Sequence, residues 1–354
     1  MTNFCSDNTA GASPQILEAL ARAAAGKVMP YGNDDLTRRV EARLREVFET
    51  DCAVFPVATG TAANVLGLSV MTPPYGAVYC HKDSHINVDE CGAPEFFTGG
   101  AKLVTLDGAH GKLTPGVLAA AIGGVGDVHH VQPAAVSLTQ ATESGTLYSP
   151  DEVAAIGALA RKHGLGLQMD GARFANALVS LGCRPAEITW KAGVDALAFG
   201  ATKNGALAAE AVVLFKPELA ETIAYRRKRG GHLFSKMRFL SAQLDAYLAA
   251  DLWLANARQA NAQAARLAAG LAGLPGARLL HPVEANEIFA VLPGAVIEGL
   301  FAAGFQFYRW GPAAESATES AVRLVTAFDT APEDVDAFLA AARRLAGAAV
   351  PEPA

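Results

Sequence analysis

Cysteine is scarce and poorly placed for cross-linking: Cys5, Cys52, Cys80, Cys91 and Cys183 are odd in number, widely scattered and contain no CxxC pair. Neither a disulfide framework nor a zinc site is expected, which suits a reducing compartment. Long apolar runs are missing too. No uninterrupted stretch reaches the roughly 18 residues that cross a bilayer, and no apolar signal core opens the chain. Positive charge is in deficit, and the net charge of −6 leaves no electrostatic footprint for nucleic acid. The one basic cluster, Arg226-Arg227-Lys228-Arg229, reads either as a helix C-terminus complementing its dipole or as a ligand contact. Internal repeats and low-complexity tracts are absent apart from alanine enrichment. These absences lead to the expectation of a soluble, cytoplasmic protein with no nucleic-acid or membrane partner.

What is present is a large apolar inventory: 51% of 354 residues are hydrophobic and 18% charged. That length exceeds what one core usually supports, so two domains are expected, at residues 1–240 and 241–354. Ser13 as cap, Pro14 at the first helical position and Gly26 delimit a first helix, and Leu36, Val40, Leu44 and Val47 give a second its stripe. Short apolar runs follow at 53–57, 77–80, 102–106, 134–138, 166–169, 196–199 and 211–215. Between them lie stretches of helical period, notably 151–163 and 172–181. Strands alternating with crossover helices predict an α/β fold, a mostly parallel sheet with helices on both faces. Ligands then belong at the strands' C-terminal ends. From Lys236 an Ala-rich helical stretch runs to Gly273. Strands at 287–292, 306–310 and 322–327, with helices at 296–303 and 333–345, make a smaller C-terminal α+β domain, and Pro351–Ala354 is expected to fray.

The residue pair that carries chemistry is Asp170, in Met169-Asp170-Gly171-Ala172-Arg173, and Lys203, in Ala201-Thr202-Lys203-Asn204-Gly205, 33 positions apart. An acid at one strand end and a lysine beyond the next are what a pyridoxal phosphate enzyme needs: one keeps the pyridine nitrogen protonated, the other holds the aldehyde as a Schiff base. Thr59-Gly60-Thr61-Ala62-Ala63-Asn64 stands between a strand and a helix. It is either a Thr-capped helix start or, with Gly60 open and N–H groups facing out, a phosphate cradle. His85 follows a strand at the same sheet edge and is either a solvated loop histidine or an imidazole placed to lie flat on the pyridine ring, where it could also serve as a base. His129-His130 are a polar turn or a second proton relay. Asp170 has a bland alternative as a helix N-cap, Lys203 as an exposed loop lysine. Arg323, a charge inside the apolar run Ala321-Val322-Arg323-Leu324-Val325, is better explained as a clamp on a substrate carboxylate.

Together these segments resemble the low-specificity threonine aldolases, and within them the threonine/phenylserine aldolase group, of the fold-type I pyridoxal phosphate superfamily. The resemblance runs along essentially the whole chain: Ser6-Asp7-Asn8-Thr9, Tyr31-Gly32-Asn33-Asp34-Asp35, the 59–64 segment, the His85–Glu90 stretch, Asp170–Arg173, Thr202-Lys203 and Arg323-Leu324-Val325-Thr326. It implies that Lys203 carries pyridoxal 5'-phosphate, Asp170 pairs with its ring nitrogen, Arg173 meets its ring hydroxyl, Thr59, Gly60 and Thr61 hold its phosphate and His85 stacks on it. Ser6 and Arg323 would take the substrate carboxylate, and His129 matches the second active-site histidine. No metal is implied.

The implied reaction is retro-aldol cleavage of L-3-hydroxy-2-amino acids to glycine and an aldehyde, with His85, or a water between His85 and His129, as base for the hydroxyl. Two departures stand out. Thr202 replaces the serine that many relatives place before the lysine, and Lys236 ends the Gly230–Lys236 stretch where relatives have a phosphate-reaching arginine. Tyr31 and the 226–236 region are implied to complete a neighbour's pocket, so a homo-oligomer, dimer or tetramer, with shared sites is expected. The competing readings are another fold-type I activity, β-eliminating lyase or aminotransferase, and a non-catalytic binding protein on the same fold.

Overall fold

A computed structural model of the chain describes residues 2–311 and 318–348; the terminal stretch Pro351–Ala354 lies outside them. The seven expected runs form one sheet: β1 (Ala53–Val57), β2 (Gly76–His81), β3 (Lys102–Leu106), β4 (Gln132–Thr139), β5 (Gly166–Gly171), β6 (Ala196–Gly200) and β7 (Glu210–Leu214), in the order β1-β7-β6-β5-β4-β2-β3. Strands β3, β2, β4, β5 and β6 pair parallel, whereas β7 is antiparallel to both β6 and β1. Hence the apolar character of β5, β6 and β7, nearly every residue of which is buried.

The helices around this sheet are α1 (Pro14–Ala23), α2 (Asp35–Phe48), α3 (Gly60–Ser69), α4 (His85–Val88), α5 (Ala93–Thr98), α6 (Pro115–Ala121), α7 (Pro150–Lys162), α8 (Phe174–Leu181), α9 (Pro185–Ile188), α10 (Ala220–Arg229) and α11 (Arg238–Leu248). At α1, Pro14 starts the helix as expected, but Ser13 makes no side-chain cap and its hydroxyl instead accepts from Asn256, 3.0 Å away. The stripe of α2 is rotated from the expected one: Thr37, Val40, Leu44 and Phe48 are buried and Leu36 and Val47 only flank them. Asp34 caps the helix at the Thr37 N–H, and the Thr37 hydroxyl lies 2.7 Å from Ser241, which draws that face inward. Ser149 and Glu152 close a capping box on α7, whose buried face is Val153, Ile156, Gly157 and Ala160. A Cβ at Gly157 would sit 2.1 Å from the Ala192 carbonyl, so this glycine sets how closely α7 packs.

The remaining elements are α12 (Leu252–Ala272), β8 (Arg278–Leu279), β9 (Glu287–Pro293), α13 (Gly294–Ala302), β10 (Tyr308–Arg309), β11 (Glu319–Val325) and α14 (Pro332–Ala348), with an antiparallel sheet ordered β10-β11-β9-β8. The expected boundary at 240/241 needs correction. Leu244, Tyr247, Trp253 and Ala257 belong to the large core, Ala264, Leu267 and Leu271 to the small one, so the two cores divide within α12. The first residues also change sides. Phe4 packs on Phe338 at 5.4 Å, and the Val325 N–H donates to the Phe4 carbonyl at 2.8 Å, so the N-terminal segment completes the small core. Among the described residues no helix is long and apolar enough to cross a membrane.

Candidate functional site

The C-terminal ends of β2, β4, β5 and β6 face a cavity of about 250 Å³ lined by Thr59, Gly60 and Thr61 on one side and by His85, Asp170 and Lys203 on others. A wider cavity of about 560 Å³ shares Asn8, His85, Glu143, Arg173 and Lys203 with it, and adds Ser6, Trp310 and Arg323. The parallel register explains the convergence, since each strand delivers its following residues to the same edge.

Asp170 is buried, and both its oxygens are engaged: Oδ1 accepts the Ala172 N–H at 3.0 Å and Oδ2 the Asn64 side-chain amide at 2.7 Å. It is not the N-cap of α8, a position held by Arg173. Asn64 is the hub of a buried network. Its amide also donates to Glu90 Oε1 at 2.9 Å, and its oxygen accepts from Gln168 at 2.9 Å. Glu90 Oε1 in turn lies 2.8 Å from His85 Nδ1, a hydrogen bond that raises the imidazole's pKa, against the opposing effect of burial. The negative charges of Asp170 and Glu90 add to the rise, and Lys203 opposes it.

Lys203 follows β6 on a single 3-10 turn, half-buried, and its ammonium has no hydrogen bond or ion pair among the described residues. Behind it, the backbone N–H groups of Ala201 and Thr202 donate to Glu210 at 3.1 and 3.3 Å, and burial pushes the Glu210 carboxyl up to about 7. Arg173 forks onto Asp7 (Nε–Oδ2 2.7 Å, Nη2–Oδ1 3.0 Å) and reaches Glu287 with Nη1 at 3.0 Å. Although burial opposes it, Arg173 and Lys203 hold the Asp7 carboxyl below its ordinary range; burial pushes Glu287 up despite Arg173. Arg323 donates from Nη2 to the Cys5 carbonyl at 3.1 Å and lies over the Trp310 ring at 4.5 Å, while its Nε is buried without a partner.

Three expected residues stay outside these cavities. His129 is exposed in the turn before β4, at the sheet edge opposite the cavity, with its N–H donating to Asp127. It precedes a parallel strand and so lies at the far edge, and the structure does not bring the expected second relay together with His85. Tyr31 and Lys236 are both exposed and lie on one surface, where the Tyr31 N–H donates to the Ser235 carbonyl at 3.0 Å and Lys228 stands over the Tyr31 ring. Residues the sequence reading passed over are Asn64, Glu143, Glu210, Glu287 and the role of Asp7 as partner of Arg173. The usable signal for Glu143 was its place just after β4, at the edge where ligands bind.

With this geometry in view, residues 3–294 match the family described as Beta-eliminating lyase. The low specificity L-threonine aldolase of Pseudomonas aeruginosa is 48% identical over 86% of this chain and 88% of its own length. The chain belongs to the low-specificity L-threonine aldolase family. A second relative, the low specificity L-threonine aldolase of a Pseudomonas species, is 46% identical over the same shares. Among solved structures, the threonine aldolase of Leishmania major superposes with a TM-score of 0.92 at 30% identity, covering 98% of this chain and all of that one.

Pyridoxal 5'-phosphate is the cofactor of this family member, and its cavity fits the group. Lys203 presents an amine with no competing partner, and Asp170 is a buried carboxylate fixed by two donors. The N-terminal turn of α3 faces the cavity with Gly60 open, nothing lying within 4 Å of where its Cβ would be. The first-turn N–H groups of a helix have no acceptor within it, which suits a phosphate.

Proposed function

We propose that this family member cleaves L-3-hydroxy-2-amino acids (threonine, allo-threonine, phenylserine) to glycine and an aldehyde. The observation that carries the reading is the delivery of Asp170, Lys203 and Arg323 to two adjoining cavities by three separate elements. Bound pyridoxal phosphate supplies an electron sink for the pair left by the breaking Cα–Cβ bond.

The residues do the rest. Lys203 would carry the cofactor; Asp170, held rigid by Asn64 and the Ala172 N–H, would pair with its ring nitrogen and favour a proton there. The α3 turn with Thr59, Gly60 and Thr61 would take the phosphate, and His85 would meet the ring. Two of Arg173's five N–H donors are spent on Asp7 and Nη1 forms an ion pair with Glu287, which fixes the fork and leaves donors for the cavity. Ser6 and Arg323 hold the substrate carboxylate. The Trp310 ring keeps the guanidinium flat, and its unpartnered Nε is the donor a carboxylate would satisfy. A clamp there decides which bond at Cα stands perpendicular to the ring, hence which breaks.

A homo-oligomer with shared sites is part of the proposal, since Tyr31 and Lys236 share an exposed surface away from this chain's own cavities. So is a cytoplasmic setting, in keeping with five unpaired cysteines. The test is a product assay on L-threonine, L-allo-threonine and L-phenylserine. Glycine with aldehyde is expected; ammonia with a keto acid, or no turnover by protein that binds pyridoxal phosphate, overturns the reading.

A further inference from the structure

Cleavage needs a group that takes the proton of the substrate's 3-hydroxyl, and the histidines are poorly suited. His129 is outside the cavities, and the ring of His85 is tied to Glu90 through Nδ1. Glu143 stands where a base is wanted. It follows β4 at the ligand edge and is one of five residues common to both cavities, beside His85 and Lys203. Its Oε1 accepts the His85 backbone N–H at 2.7 Å and the Thr139 hydroxyl at 2.9 Å, which fixes the carboxyl against the wall. Its Oε2 is buried with no hydrogen-bond partner among the described residues. A buried carboxylate oxygen without a donor is costly unless the site's work provides one. The last side-chain torsion of a glutamate is broad, so small rotations turn that oxygen toward the cavity.

We propose that Glu143 is the catalytic base for the substrate's 3-hydroxyl. This rests on the aldol-cleavage reading above. The O–H bond breaks to the Glu143 carboxylate, and the oxygen's electron pair becomes the second C–O bond of the departing aldehyde. The Cα–Cβ bond breaks, its pair staying on the glycine carbon, which later takes up a proton. In the synthetic direction Glu143 returns its proton to the new hydroxyl.

The surroundings poise it for this. Glu143 faces Asp170 on β5, His85 on α4, Cys80 on β2 and the Tyr148 hydroxyl, with Lys203 and Arg173 across the cavities. Burial pushes its carboxyl up to about 7, and Asp170 adds to the rise while the His85 N–H opposes it. A base with a midpoint near the operating pH is the most effective kind.

The test is Glu143→Gln, which keeps an acceptor for the His85 N–H. Cleavage turnover should fall roughly 10²- to 10⁴-fold, and the limb of the kcat profile near neutrality should vanish. Visible absorbance of the cofactor-loaded protein and exchange of glycine's α-hydrogen with solvent deuterium should persist, because neither moves a hydroxyl proton. Glu143→Asp should restore part of the turnover. In cofactor-free protein, pH-difference infrared spectra should show the carboxyls of Glu143 and Glu210 titrating near neutrality, and Glu143→Gln should remove one of the two signals. Turnover within threefold of the parent, glycine exchange lost in step with cleavage, or a neutral-range carboxyl signal unchanged in Glu143→Gln would each overturn the proposal. A parent protein that cleaves none of the three substrates sinks the earlier reading instead.

Discussion

Replacing Arg173 with methionine tests whether the domains are clasped by charge. In the folded chain its guanidinium lies between two carboxylates whose side chains are 1% and 3% exposed, Asp7 from the N-terminal segment and Glu287 from β9, itself 11% exposed. Two charge-assisted hydrogen bonds to Asp7 at about 1.5–3 kcal/mol each, with the ion pair to Glu287 beside them, set a gross loss, reduced because arginine no longer has to be desolvated and methionine refills the volume. What remains is two buried anions without a cation, and removing one partner of a buried pair costs about 3–5 kcal/mol. Urea denaturation followed by circular dichroism should show a loss of that size at pH 7. The pH response gives a second signature. Asp7's folded pKa is lowered, so its contribution is present above its unfolded value and lost as pH falls through the folded one. Without Arg173, both carboxylates would have raised folded pKa values and the variant would gain stability on acidification, so the gap to the parent should narrow as pH falls from 7 towards 4. A loss under about 1 kcal/mol, or a gap that widens on acidification, would refute the clasp.

Lys203→Ala should abolish borohydride fixation of the cofactor; a phosphopyridoxyl adduct found by mass spectrometry on another side chain contradicts the assignment. Gly157→Ala sets helix propensity, a gain of about 0.5–1 kcal/mol, against a Cβ only 2.1 Å from the Ala192 carbonyl. The clash wins, and thermal unfolding should show destabilisation of about 1–3 kcal/mol rather than the gain. Glu210 titrates near 7 when folded and near 4.5 when unfolded, so stability drains by about 3 kcal/mol as pH rises across that interval. Glu210→Gln should remove its share of the slope there and leave that of Glu143, and an unchanged slope in denaturant midpoints would show that Glu210 does not contribute.

The large sheet was legible because β2, β5, β6 and β7 are covered on both faces and therefore read as apolar runs; β1 and β3 also match their expected bounds. Asp170 and Lys203 were legible for the same reason, as polar breaks at the ends of such runs. The α2 face was misjudged by one position because Thr37 is buried through its bond with Ser241, a partner 204 residues away that periodicity does not register. The domain boundary was missed since α12 is apolar on changing faces, passing from one core to the other without a break in composition. His129 was singled out by resemblance to the family's second active-site histidine, and Glu143 carried no motif that marks it. Strand direction, already implied by the alternating pattern, would have chosen the later residue. Asp7 and Glu287 belong to a buried charge cluster whose members come from three distant segments, and nothing local marks them.

Phe4 is lodged among the aromatic rings of the small core and bonded to Val325, only three residues before Asp7 grips Arg173. The segment that carries Phe4 and Asp7 therefore has no seat until β11 is in place. Because β11 also brings Arg323, which donates to the Cys5 carbonyl, one strand of the small sheet both anchors that segment and completes the wall of the centre.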